Sequence, residues 1–127
     1  MKNYFIAFII FLVIDIFWLT VISKNIYSKY LGYLMTDKVN FVAAFIFYIL
    51  FIIGLVVFVI NPGLEAKSLL KTVGLASLFG LITYATYDLT NLATIKNWPL
   101  NITIIDLIWG TTLSTLVSVI SFLILKK

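Results

Sequence analysis

Four long apolar runs, separated by short polar stretches, dominate the order of residues along this chain. They cover residues 4–22, 41–60, 72–93 and 102–125. Each is close to the ~20 residues an α-helix needs to cross about 30 Å of hydrocarbon at ~1.5 Å per residue. The pattern predicts an all-α, integral membrane four-helix bundle in one transmembrane domain. The first run follows Lys2 and superficially resembles a secretion signal. Asp15 interrupts its core, however, and no small-residue cleavage pattern follows at 21–24, so a retained span is expected. Asn61-Pro62-Gly63 is expected to stop the second run, because proline lacks an N–H and glycine is flexible. Trp98-Pro99-Leu100-Asn101 predicts a tight turn, with Trp98 at headgroup level and Asn101 as an N-cap. The one long connection is 23–40, where Tyr27, Tyr30, Leu31 and Leu34 share a helical face. It predicts either a short interfacial helix or an extension of the first span.

Composition strengthens the membrane assignment and removes several chemistries. Of 127 residues, 63% are hydrophobic and 11% charged, with a mean hydropathy of +1.16, more apolar surface than a small soluble fold can hide. There is no cysteine and no histidine, so thiolate and imidazole metal sites are absent, and so is the usual general base near neutral pH. No cofactor is identified, and an oxygen-only site for a hard cation stays open. All nine basic residues are lysine, which removes bidentate arginine clamps and favours anionic lipid headgroups rather than nucleic acid. Five lysines at the termini and second loop face four on the first and third loops, which tips the termini toward the cytoplasm.

The chemistry lies in the exceptions to the apolar pattern. Three of the five acidic residues, Asp15, Asp88 and Asp106, fall inside the runs. Each costs roughly 2.5–3.5 kcal/mol at a helix centre in a bilayer. No lysine occupies a run interior, so the carboxyls require protons, hydrogen bonds, water or a bound cation. Counting residues at ~1.5 Å each places them roughly 10, 8 and 6 Å from the side of the first and third loops. All three are therefore expected in one half of the membrane. In the third run Tyr84, Asp88 and Asn91 fall at i, i+4 and i+7, with Tyr87, Asn91 and Thr94 beside them. This stripe is expected to face the bundle interior. Asp15 and Trp18, like Asp106 and Trp109, are three residues apart, so each indole shares a face with a carboxyl. Gly110, Ser114 and Ser118, and Ala76 with Gly80, are small residues at four-residue spacing and predict close helix packing. The second run, polar only at Tyr48, reads as lipid-facing support.

Asp-x-x-Trp in the first run, Tyr-Asp-Leu-Thr-Asn-x-Ala-Thr followed by Trp-Pro around the third, and Asp-x-x-Trp-Gly in the fourth resemble a group of small bacterial membrane proteins. That group is known as domain of unknown function 2177. The resemblance extends over essentially the whole chain and implies a four-span protein of the bacterial cell membrane, without implying an activity.

Three functions fit these residues. The first is binding or transport of a proton, cation or small molecule. Asp88 would be the main ligand, Asp15 and Asp106 its neighbours, and Tyr84, Tyr87, Asn91, Trp18 and Trp109 would complete the site. Four spans enclose little volume, so transport predicts a homodimer. The second is a membrane-embedded enzyme on a lipid or isoprenoid, with two carboxyls dividing the roles of acid and base. The third is a structural or regulatory subunit, because buried polar groups can simply hold helices together.

Overall fold

A computed structural model describes residues 2–35, 38 and 40–126, apart from the side chains of Ser23 and Lys24. The elements in chain order are α1 (Lys2–Phe17), a π-helical turn (Trp18–Ser23), α2 (Lys24–Leu31), a 3-10 turn (Gly32–Leu34) and α3 (Phe41–Leu55). A second π turn (Val56–Ile60), α4 (Asn61–Ala66), α5 (Leu69–Thr94) and α6 (Leu100–Leu125) follow. No strand occurs among the described residues. Four helical stretches are long and apolar enough to cross a membrane: Lys2–Ile22, Phe41–Ala66, Leu69–Thr94 and Leu100–Leu125.

The helix starts follow from local chemistry. The Asn40 side chain accepts the Ala43 N–H at 3.1 Å and opens α3. The Ser68 hydroxyl accepts the Lys71 N–H at 3.0 Å and opens α5. Each satisfies a backbone donor that the first helical turn leaves without a partner. Asn101 does not cap α6: the helix begins one residue earlier, after Pro99, with no side-chain cap. The turn is fixed instead by the Trp98 indole N–H, which donates to the Thr103 hydroxyl at 3.0 Å. The asparagine therefore lies inside the first turn, where it cannot adopt the extended backbone of a cap.

Asn61-Pro62-Gly63 does not stop the second long helix. A widened π turn precedes it, and the missing N–H of Pro62 falls in the first turn of α4, where no donor is needed. Helical backbone then continues to Ala66. There Lys67 turns left-handed, at φ 51°, and its N–H and that of Ser68 donate to the carbonyls of Leu64 and Gly63. This is a Schellman stop, reached six residues later than the proline signal implied. After the first long helix, α2 extends the same helical path through a π turn, so the first connection is largely a helix extension.

Ala7, Phe11, Phe51, Leu55, Val59, Ala76, Leu113 and Val117 pack into one buried apolar cluster to which all four long helices contribute. The second long helix is therefore not mere lipid-facing support. Phe51, Ile52, Leu55, Val56, Val59 and Ile60 are all buried, while Phe41, Val42, Phe45 and Phe58 point outward. Hydrophobicity does not drive apolar helices together in lipid, so close van der Waals contact must. The α5–α6 pair obtains it from its small residues. A side chain at Gly80 would strike the Gly110 carbonyl and the Ser114 hydroxyl, and one at Gly110 would enter the Tyr84 ring. The small-residue ridge predicted from spacing thus works as a seam within the chain.

Candidate functional site

The α5–α6 seam determines what lies beyond it. One turn past Gly80 comes Tyr84, and one turn further Asp88, so close packing at the glycine brings both against α6 at the level of Asp106 and Gly110. Asp88 is wholly buried, and neither of its carboxyl oxygens receives a hydrogen bond from a donor group among the described residues. The group that faces it within hydrogen-bonding reach is the Asp106 carboxyl, a donor only when it carries a proton. Asp106 also accepts the Tyr27 hydroxyl, delivered by α2 as it extends from the π turn. Burial, and then the adjacent Asp106, push the Tyr27 hydroxyl well above its ordinary value, so it stays a donor.

Asp15, also buried, lines a cleft together with Asp106 and accepts the Tyr48 hydroxyl of α3 at 3.1 Å. The cleft has a volume of about 600 Å³; Asp15, Asp106, Tyr27, Tyr48, Tyr84, Trp18, Trp109 and Phe47 line it, with Leu19, Leu31, Met35 and Ala44 among its aliphatic walls. No lysine lines it among the described residues. The indoles of Trp18 and Trp109 stack with centroids 4.1 Å apart and planes 9° from parallel. Because α1 and α6 run in opposite directions, their equivalent Asp-x-x-Trp segments bring the two indoles together between two carboxyls. Tyr84 and Asp106 also line a second cavity of about 490 Å³, with Tyr87, Thr83 and Phe47. A larger cavity, about 660 Å³, lies at the other end of the helices between Asn3, Lys67 and Lys126.

The sequence-derived residues thus separate into two groups. Asp15, Asp88, Asp106, Tyr84, Trp18 and Trp109 converge. Tyr87 is 56% exposed, edge-on to Trp98, and Thr94 is exposed as well, so the polar stripe of α5 does not face inward along its whole width. Asn91, beside Tyr87, is half-buried. The outward threonines are tolerable for a physical reason. The hydroxyls of Thr86, Thr90 and Thr94 donate to the carbonyls of Ile82, Thr86 and Thr90, so each of the three has an acceptor within its own helix. Among the described residues no three acidic side chains approach closely enough to hold a metal ion between them.

Two contributors were not singled out by the pattern: Tyr27, read as part of an amphipathic face, and Tyr48. The available signal for Tyr48 was its isolation as the one polar residue in the second apolar run.

The family model described as predicted membrane protein, DUF2177, matches residues 1–123, and the chain belongs to that family. No curated protein and no solved structure matches it.

Proposed function

We propose that this membrane protein binds a small cation in exchange for a proton at the Asp88–Asp106 pair, and that this exchange drives movement of the cation across a bacterial cell membrane. The observation that carries the proposal is the pair itself: two carboxyls in contact, one wholly buried and lacking any donor for its oxygens. Two bare carboxylates repel at this separation, so a shared proton or a bridging cation must hold them together. The two occupants exclude one another, which is the elementary requirement of exchange. Asp15 supplies a further carboxyl to the cleft that Asp106 lines.

Cost supports function over mere stapling. Serine or asparagine would join helices at about 0.6 kcal/mol per contact without any charge to solvate. A carboxyl at membrane depth costs several times that figure. The termini and second loop, with five lysines against four, are assigned to the cytoplasmic side.

The test is flux in proteoliposomes. With a pH gradient imposed, wild-type protein should dissipate it faster when a transported cation is supplied, and Asp88→Asn should reduce the rate to that of empty vesicles. Equal rates for wild type and Asp88→Asn would refute the assignment.

A further inference from the structure

We infer that the cation is organic: an ammonium or similar onium centre carrying aryl or alkyl arms, held in the cleft by Asp106, the member of the Asp88–Asp106 pair that lines it, with Asp15 and the aromatic rings around the same space. This rests on the cation reading above and narrows it to a chemical class.

The first argument is size. A cleft of about 600 Å³ lies in the middle of the ~300–1,000 Å³ range that suits drug-sized ligands. One water occupies only ~30 Å³ of liquid volume, so a bare inorganic ion would leave most of the cleft unfilled. The second is coordination. Hard cations such as calcium take about 6–8 oxygen ligands in a compact cage. Here only two acidic groups, Asp15 and Asp106, line the cleft, and no three gather among the described residues.

The third is the lining. Trp18, Trp109, Tyr27, Tyr48, Tyr84 and Phe47 present ring surface to the same space. The negative face of an aromatic ring attracts a cation electrostatically, and weakly hydrated quaternary centres lose little when they leave water for it. Tyr27 stands edge-on to Trp18, with centroids 6.5 Å apart at 76°, beside the stacked indole pair. Leu19, Leu31, Met35 and Ala44 continue the wall with aliphatic surface for apolar arms. Two carboxyls set the sign of the ligand, the rings its charge density, and the volume its bulk.

Isothermal titration calorimetry on the full chain in detergent, repeated in two buffers of different ionisation enthalpy, tests the class and the exchange separately. The probes are benzyltrimethylammonium, its uncharged carbon analogue neopentylbenzene, and sodium. Saturable binding of the ammonium is expected, without saturable binding of neopentylbenzene or sodium. Asp106→Asn and Asp15→Asn should each weaken it at least about tenfold. Trp18→Leu should weaken it by about tenfold too, the scale of one desolvated cation–ring contact. Trp18→Phe, which keeps a ring, should recover most of the loss and separates ring chemistry from damage to the fold. The inference fails if neopentylbenzene binds as well as the ammonium, if the ammonium does not bind, or if Asp106→Asn binds it like wild type. The buffer comparison counts protons released. Proton release on adding sodium, with no ammonium binding, sinks the organic class but leaves exchange standing. Ammonium binding with no proton release does the reverse.

Discussion

Asp15 and Asp106 are both buried acids on apolar helices, yet each is held by a tyrosine hydroxyl from a different element: Tyr48 from α3 and Tyr27 from α2. Hydrogen bonds between helices in a membrane average ~0.6 kcal/mol and reach ~1.7 kcal/mol. Tyr48→Phe keeps the ring and its edge contact with Phe11, 5.1 Å between centroids, and removes only the donor. It should therefore destabilise the protein by roughly 0.6–1.7 kcal/mol, read as an earlier midpoint when detergent-solubilised protein is titrated with sodium dodecyl sulfate. An unchanged midpoint would mean that the hydroxyl does not bind Asp15. The acids were legible in the sequence because a carboxyl in an oily run has no inexpensive explanation. The tyrosines were not, because a ring in an apolar run suits packing as well as it suits chemistry. Tyr87 lies one residue from Asp88, hence ~100° around the helix, so it is partly exposed and shares with Asp106 and Tyr84 the second cavity rather than the cleft.

Apolar run length located every long element, but the way those elements end and bend depends on details that run length does not encode. A proline usually marks a boundary, yet Pro62 falls in the first turn of α4 and costs that helix no hydrogen bond. The π turn at Trp18–Ser23 matters more for the site. Such insertions frequently accompany functional positions, and this one redirects the chain so that α2 reaches α6. Docking of α2 depends on Tyr27 remaining protonated. In the docked arm its hydroxyl is shifted upward, while in a released arm it titrates at the ordinary value of about 10. The group with the raised value stabilises docking fully below that pH, and the contribution is lost progressively above it. Hydrogen exchange of residues 24–31 should therefore be slow up to about pH 10, after correction for the intrinsic base-catalysed rate, and should accelerate beyond it. Tyr27→Phe should show faster exchange already at neutral pH, with no alkaline transition. A transition of equal size in Tyr27→Phe would assign it elsewhere.

For the molecule as a whole, four apolar helices meet around one core, and a single seam of small residues between α5 and α6 brings the carboxyls together. Apolar run lengths alone made the spanning architecture legible, since lipid leaves few ways to satisfy a backbone. They also placed the three aspartates toward one end of the molecule. Which carboxyl meets which was not legible. The partner of Asp88 depends on rotation of α5 against α6, set by the fit of Gly80 on Gly110 rather than by spacing. Asp15, on α1, joins Asp106 in lining the aromatic cleft. Infrared difference spectroscopy of the protein in lipid, before and after adding an onium cation, reads the Asp88–Asp106 pair directly. A protonated-carboxyl carbonyl band should vanish as carboxylate bands appear, a change absent in Asp88→Asn and retained in Tyr87→Phe. A spectrum without carbonyl change, or one identical in Asp88→Asn, would contradict a proton shared by the two acids and displaced by the ligand.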